Sequence, residues 1–179
     1  MVQRILKKFK KKNKAFTLKG KFNSLLVETD TSIDSSVIIN TSHGGTVAIS
    51  KNCKIMESVI LATYGGRISI GNNCSINPFC VIYGHGGLDI GNNVSIATHT
   101  VIVPANHKYE NPDIPIRNQG LTKKGISIKD DVWIGASVKI LDGVTIGSRV
   151  IVAAGAVVVN DLEGNAIYGG TPAKKIKNI

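Results

Sequence analysis

One histidine stands in a part of the chain that differs in composition from the rest. His107 lies in the segment Asn106-His-Lys-Tyr-Glu-Asn-Pro112, and residues 104–125 around it are rich in Pro and Asn without a regular apolar period. Pro and Asn favour turns, so a long exposed loop is predicted here, and loops of this length usually carry function. An imidazole titrates near pH ~6.5 and can accept a proton from a hydroxyl at neutral pH. His107 is therefore the candidate general base.

The other three histidines are candidates for structural or ligand-binding roles. His85 and His43 lie beside glycine pairs, which favours a corner of the chain as their position. His85, with Tyr83, is also placed to bind an acceptor molecule below the loop. His99 stands between two threonines, where it is either a partner of the site or an outward-facing side chain.

The elements that must position these residues repeat every six residues. From Ile128 to Glu163, six consecutive hexads open on Ile or Val and hold Val, Ala or Leu at the fifth place. A helix has an apolar period near 3.6 and a strand a period of 2, so a period of six fits neither. It is typical of a chain that turns a corner every six residues, three flats making one triangular coil. The pattern, which starts at Ile33, predicts an all-β parallel β-helix of about six coils.

Interruptions of the hexads are regular too. Glycine pairs recur every 21 residues and are predicted to form one bulged corner with positive φ, whereas the second-place Gly135 and Gly147 suit simpler corners. Two Gly-Asn-Asn turns are predicted to stack their amides along the prism. The three cysteines fall on the fifth place and are predicted to pack inside. These pairs, turns and thiols are Gly44-Gly45, Gly65-Gly66, Gly86-Gly87, Gly71-Asn72-Asn73, Gly91-Asn92-Asn93, Cys53, Cys74 and Cys80.

Three motifs carry a resemblance to a known family. The segments Val132-Trp-Ile-Gly135, Gly143-Val-Thr-Ile-Gly147 and Gly169-Gly-Thr-Pro-Ala-Lys174 are similar to the ends of galactoside, maltose and capsule-sugar O-acetyltransferases. The chain thus resembles the hexapeptide-repeat acyltransferases, which implies a left-handed β-helix. The expected organisation is a basic N-terminal extension and cap over residues 1–32, the β-helix with its extruded loop over residues 33–171, and a short C-terminal helix over residues 172–179.

The resemblance also implies an activity and a set of site residues. It implies transfer of an acetyl group from acetyl-CoA to a sugar hydroxyl, in making a surface polysaccharide such as capsule, O-antigen or exopolysaccharide, by a homotrimer that needs no metal. His107 matches the family's catalytic loop histidine, and Tyr83 and His85 are acceptor-binding candidates. The residues matched to coenzyme A positions are Trp133, Gly135, Ala136, Ala154 and Lys174. Val159-Asn160 departs from the family, which often has Thr-Lys there.

Two alternatives remain open at the level of sequence. One is N-acetylation of an amino-sugar nucleotide by the same chemistry. The other is a non-catalytic or metal-binding β-helix, for which His85, His99 and His107 would be the candidate ligands. The motifs with Trp133 and Lys174 favour the transferase.

The basic charge of the protein belongs to one end of the chain. The formal net charge is +10, yet residues 1–27 hold nine Lys or Arg and no acid, so the remainder is close to neutral. Residues 1–14 place Val2, Ile5, Leu6 and Phe9 on one face of a short amphipathic helix, which suits either a solvated extension or contact with an anionic membrane or a polyanionic acceptor. No aromatic platform accompanies the lysines, which argues against nucleic acid. No segment resembles a signal peptide or a membrane span, so a cytoplasmic protein is expected, with peripheral contact at the inner membrane face as one possibility.

Overall fold

The computed structural model describes residues 16–179, which form a parallel β-helix. Short strands lie in three parallel sheets, A, B and C. The first six coils have a strand in each sheet in that order, and the seventh has strands in A and C only. Sheets A and C each contain a parallel strand from seven successive coils, so the solenoid has seven coils rather than about six. The predicted β-helix is confirmed, and its left hand stays a prediction from the resemblance.

The strands are only two to five residues long, which is what a corner every six residues demands. Sheet A contains β1 (Thr17–Lys19), β4 (Ile38–Asn40), β7 (Ile60–Ala62), β10 (Val81–Tyr83), β13 (Val101–Val103), β18 (Lys139–Leu141) and β21 (Val157–Val158). Sheet B contains β2 (Leu25–Val27), β5 (Thr46–Ile49), β8 (Arg67–Ile70), β11 (Leu88–Ile90), β16 (Ile126–Ile128) and β19 (Thr145–Ile146). Sheet C contains β3 (Ser32–Ile33), β6 (Lys54–Ile55), β9 (Ser75–Ile76), β12 (Ser95–Ile96), β17 (Trp133–Ile134), β20 (Val150–Val152), β22 (Ala166–Gly169) and β23 (Lys174–Asn178).

The interior of the prism is a column of aliphatic side chains. The first and fifth places of the six hexads over residues 128–163 are buried, and equivalent isoleucines stack in register from coil to coil, as Ile82 does on Ile102 and Ile102 on Ile140. Each buried side chain of this size contributes about 1.5–3 kcal/mol to folding. The three cysteines are buried at the fifth place, and each thiol donates to a backbone carbonyl. Their predicted packing role is confirmed.

Three corners join the sheets, and each takes its name from a feature that it contains. The loop corner joins sheet A to sheet B and contains the glycine pairs. The asparagine corner joins B to C, where amides of successive coils bond, as from Asn73 to Asn93 at 3.1 Å. The alanine corner joins C to A and contains Ala136 and Ala154. The predicted glycine corner and amide stack are both confirmed.

The left-handed backbone of the corners falls on the fourth place of the hexad, not the second. Asn73, His99 and Ser137 have φ of 59°, 60° and 60° in this position, whereas Gly135 is outside the positive-φ set. Gly135 is needed for a different reason. A Cβ there would lie 2.6 Å from the backbone nitrogen of Ala154 in the next coil. The second-place glycine therefore permits close approach of coils rather than a turn.

Both predicted ends of the β-helix domain need correction. The solenoid begins at β1, which pairs in parallel with β4, so residues 17–32 already form the first coil. The predicted C-terminal helix over residues 172–179 is wrong, because β23 is a strand that pairs antiparallel with β22. The edge strand of the last coil presents unpaired backbone groups, and the returning strand satisfies them. The amphipathic segment 1–14 lies outside the described residues.

The predicted loop over residues 104–125 is confirmed as an excursion from the loop corner of the fifth coil. Its arms form a two-stranded hairpin of β14 (Asn106–His107) and β15 (Leu121–Thr122), with one 3-10 turn at Ile116–Asn118. A second 3-10 turn lies at Phe22–Ser24. Within residues 16–179, no helix is long and apolar enough to cross a bilayer.

Candidate functional site

The hairpin that presents His107 is held in a defined shape. Asn106 pairs with Thr122 and His107 with Leu121. At the tip, the Gln119 side chain accepts from the Asn111 backbone at 3.0 Å and donates to the Ile114 carbonyl at 2.7 Å. The His107 side chain is exposed, and no hydrogen bond to its ring is made by any residue in the described part of the chain. The imidazole is thus available to a ligand.

Asp142 fastens the base of this loop to the solenoid. One carboxylate oxygen accepts from the Thr122 hydroxyl at 2.9 Å, and the other accepts from the backbone nitrogens of Lys124 and Gly125 at 2.9 and 3.1 Å. Asp142 stands at the loop corner of the next coil. Sequence reasoning missed it, although an Asp two places after a hexad Ile, directly above the loop, was the available signal. Its role is to set the direction in which the His107 strand leaves the prism.

The two predicted acceptor residues belong to a cluster of rings below the loop. The Tyr64 ring stacks on His85 with centroids 4.5 Å apart and on His43 at 5.5 Å, and the Tyr83 ring meets Tyr64 edge-on at 4.9 Å. His43, Tyr64 and His85 recur every 21 residues, so they occupy equivalent places of successive coils. The structure therefore brings Tyr83 and His85 together, on the same corner as the loop of His107.

His85 combines burial with an unsatisfied ring atom. Its Nδ1 is buried and has no hydrogen-bond partner among residues 16–179. Burial lowers the pKa of His85, and the nearby Lys123 cation lowers it further, while Asp142 opposes the shift. Burial and the neighbouring Tyr64 raise the pKa of Tyr83. Both shifts favour the neutral form of the side chain.

The predicted coenzyme A residues gather on the alanine corner. Ala136 and Ala154 occupy the same place in successive coils, and the nitrogen of Gly155 donates to the Ala136 carbonyl at 2.8 Å. Trp133 begins the strand that leads to Gly135 and is 54% exposed, which leaves its ring free for contact. Small residues and exposed backbone allow a narrow ligand to lie against this corner.

Lys174 lies where the last coil closes over the same corner. It pairs with Gly169 in the antiparallel ladder, and the preceding Ala173 donates its backbone N–H to the Val157 carbonyl at 2.8 Å. Lys175 is turned to Glu163, with 3.8 Å between Nζ and the carboxylate. Among the described residues Lys174 has no ion-pair partner, so its charge is free for an anion.

One chain does not bring these two groups of residues together. His107, Tyr83 and His85 lie at the loop corner, whereas Ala136 and Ala154 lie at the alanine corner. Sheet A separates the two corners. Its strands are two or three residues long in this part of the chain, so each spans up to about 10 Å between the corners. No group of three His, Cys, Asp or Glu residues suited to a metal ion occurs in the part of the chain that the structure describes.

The family model called bacterial transferase hexapeptide (six repeats) matches residues 125–160. These residues are the hexads of the fifth to seventh coils, which include Ala136 and Ala154. Residues 125–160 thus contain hexapeptide repeats of this kind. The match begins at the last residue of the extruded loop, so it covers Ala136 and Ala154 of the alanine corner but not His107.

Known relatives of part of the chain are named as acetyltransferases. A Schizosaccharomyces pombe protein that is provisionally named an acetyltransferase is 41% identical over 93 residues, which are 51% of this chain and 44% of the relative. The chain spans less than half the length of the curated relatives that it matches first. Their similarity therefore concerns a part of each protein.

Solved structures of similar fold cover more of the chain. A point mutant of AntD, an N-acyltransferase from Bacillus cereus in complex with dTDP and coenzyme A, matches with a TM-score of 0.76 and 26% identity, over 96% of this chain and 88% of AntD. The polySia-specific acetyltransferase NeuO matches with a TM-score of 0.66 and 25% identity, over 90% of this chain and 67% of NeuO.

Proposed function

We propose that this protein is an acetyl-CoA-dependent O-acetyltransferase that acts on a sugar hydroxyl in the synthesis of a surface polysaccharide. The observation that carries the proposal is the hairpin that presents an unbonded imidazole at one corner of a rigid hexapeptide-repeat prism. The similarity to NeuO, an acetyltransferase specific for polySia, supports a polysaccharide acceptor. Coenzyme A in the AntD complex supports the cofactor.

In the proposed reaction, His107 takes the proton of the acceptor hydroxyl while its oxygen attacks the thioester carbon of acetyl-CoA. The bond between that carbon and sulfur then breaks, and coenzyme A leaves as the thiol after its sulfur takes the proton from His107. Trp133, Gly135, Ala136 and Ala154 line the path of the pantetheine arm. Lys174 pairs with a cofactor phosphate. Tyr83 and His85 bind the acceptor beside the loop.

A homotrimer is part of this proposal, because the two groups of site residues lie on different corners of one prism. Parallel packing of prisms around a threefold axis, with sheet A of every copy facing the axis, places the loop corner of one copy beside the alanine corner of the next. Each crevice then contains both groups. Light scattering is expected to give three times the chain mass of 19.0 kDa. A monomer that is fully active at assay concentration would contradict this arrangement.

The central test replaces the proposed base. His107→Ala is expected to lower turnover by about 10²–10⁴-fold while the trimer stays intact, because the hydroxyl then loses its proton acceptor. The assay measures release of the coenzyme A thiol with a panel of sugars, nucleotide sugars and oligosaccharides. His43→Ala is the matched control, since His43 is also an exposed histidine of the loop corner but lies three coils away. Retained turnover in His107→Ala would remove His107 as the base.

The AntD similarity favours one second candidate, N-acetylation of an amino-sugar nucleotide. The same panel separates the two candidates, because an O-acetyltransferase accepts sugars without an amine. Alkaline hydroxylamine adds a second criterion, as it removes O-acetyl esters and leaves amides. A product that forms only from amino sugars and resists hydroxylamine would establish N-acetylation instead.

The lysine-rich segment 1–14 is proposed to guide the protein, as a cytoplasmic enzyme, to an anionic surface or a polyanionic acceptor. Deleting residues 1–14 is expected to abolish sedimentation with anionic vesicles or binding to a polyanionic glycan, and to spare activity on a small sugar. If the complete chain binds neither the vesicles nor the glycan, this part of the proposal fails.

A further inference from the structure

Two contacts define the environment of the His99 ring, one with a hydroxyl and one with an aromatic ring. Its Nδ1 lies 2.8 Å from the Thr98 hydroxyl oxygen, and that hydroxyl donates to the Pro78 carbonyl at 2.6 Å. The single hydroxyl hydrogen is therefore committed to Pro78. Thr98 must accept a hydrogen bond from His99, so neutral His99 carries its proton on Nδ1. Its Nε2 presents a free lone pair.

The ring is also fixed in place. His99 stacks on Phe79 with centroids 5.1 Å apart and an interplanar angle of 22°. Both residues stand at the left-handed place of the alanine corner, with φ of 60° and 64°, in adjacent coils. His99 is exposed and Phe79 is 53% exposed, so the pair forms a rigid patch open to a ligand.

The patch of His99 and Phe79 lies at the end of the corner towards which the proposed cofactor points its thioester. Lys174, Ala154 and Ala136 follow one another down the alanine corner, from the last coil towards the first. A cofactor with its phosphates at Lys174 thus has its thioester end pointing past Ala136. The next coil in that direction carries His99, about 4.8 Å away, and the Ser137 nitrogen bonds to the Thr98 carbonyl at 2.9 Å.

His99 and His107 belong to the same coil. His99 leads into β13, and β13 leads directly into the loop that carries His107. They leave opposite edges of sheet A, so His99 of one prism lies on the edge that meets the loop corner of a neighbour in the proposed trimer. Neither the corner backbone nor hexad packing requires an imidazole at this place, where other coils have Ser36, Ser58 or Ser137.

We propose that His99 is an acceptor-binding residue of the acyl-transfer site, acting in a crevice shared with His107 of the partner subunit. Its Nε2 accepts a hydrogen bond from a hydroxyl or amine of the acceptor sugar, and Phe79 supports the ring from below. Thr98 is a positioning residue that fixes the tautomer. This inference rests on the proposed function and adds a residue that the hexapeptide pattern does not mark.

The first test compares two amides of different reach at the same place. His99→Asn tolerates the left-handed backbone but is too short to replace Nε2, whereas His99→Gln places an amide oxygen near it. His99→Asn is expected to raise the KM for the acceptor about 10-fold, as loss of one hydrogen bond implies. His99→Gln recovers most of this loss, and the KM for acetyl-CoA stays constant in both. Thr98→Val, which frees the tautomer, raises the acceptor KM about 2–5-fold.

A second test asks which copies supply the two histidines. Trimers are reassembled from equal amounts of His99→Asn and His107→Ala chains, and activity is measured below the acceptor KM. If the crevice is shared, about a quarter of the sites contain both native histidines, so about a quarter of the wild-type rate returns. If one chain supplied both, only the residual rate of His99→Asn sites would remain, about 5% of wild type.

The outcomes separate this inference from the proposed function. If the wild type is active and depends on His107, but folded His99→Asn keeps the native acceptor KM, His99 has no acceptor role and only this inference falls. A rate of about 5% in the mixed trimers overturns the shared crevice. If the wild type acylates no acceptor in the panel, the proposed function fails and takes this inference with it.

Discussion

Replacing Gly135 with alanine tests the spacing of the coils at the proposed cofactor groove. The new Cβ would lie 2.6 Å from the Ala154 nitrogen and 2.8 Å from the Val152 carbonyl oxygen, both backbone atoms of the next coil. Ordinary contact begins at 3.4 Å, so the coils must separate by about 0.8 Å here. Side-chain rotation cannot relieve the contact, because the opposing atoms belong to the backbone.

The magnitude follows from the hydrogen bonds that this separation stretches. Gly135 N–H donates to the Val152 carbonyl and Gly155 N–H to the Ala136 carbonyl, each at 2.8 Å. An added separation of about 0.8 Å takes both beyond good geometry, at a net cost of about 1 kcal/mol each. The total of about 2 kcal/mol lies within the range for overpacked sites and lowers Tm by about 4–8 °C for a chain of this size.

Thermal unfolding by circular dichroism at fixed protein concentration measures the change in Tm. Titration with acetyl-CoA measures the affinity of the proposed groove for the cofactor. Gly155→Asn is the matched control, because Gly155 lies on the same corner in open space and its φ of 74° suits Asn. We expect a Tm within about 2 °C of wild type for the control. A Gly135→Ala protein with native Tm and native acetyl-CoA affinity would refute the close approach of coils.

Three further outcomes are expected. Lys174→Ala raises the KM for acetyl-CoA about 5-fold with little change in turnover, because an exposed cation contributes to binding a phosphate; Lys177→Ala is the control, and an unchanged KM removes the phosphate role. The thiols of Cys53, Cys74 and Cys80 do not react with Ellman's reagent until the protein unfolds, because all three are buried. Burial also raises the pKa of Cys80, whereas the hydrogen bond with Cys74 lowers the pKa of Cys53 to about 7, so for Cys53 burial alone blocks the reagent. Fast native labelling would contradict this. Because folding lowers the pKa of His85, the stability that its neutral form contributes is complete above about pH 6.5 and declines as the pH falls below that value. His85→Gln is expected to remove part of that decline in thermal unfolding, and an unchanged pH profile would disprove the assignment.

The sequence by itself determined the repeating part of the fold. A strict period of six with branched aliphatics fixes which side chains enter the prism, because each must fill the same narrow interior in every coil. The glycine pairs, the stacked amides and the interior cysteines follow from the same register. His107 was predicted from the one segment, residues 104–125, that breaks the period.

Only the tertiary structure decided how features outside the repeat behave. The last segment became a strand, since the edge of the final coil supplies hydrogen-bond partners that no local pattern reveals. The tautomer of His99 and the anchoring of the loop by Asp142 depend on atoms from other coils. Likewise, the separation of His107 from Ala136 by the width of sheet A follows from the path of the chain around the prism. Periodicity specifies a register along one coil, and contacts between coils are set only when the coils stack.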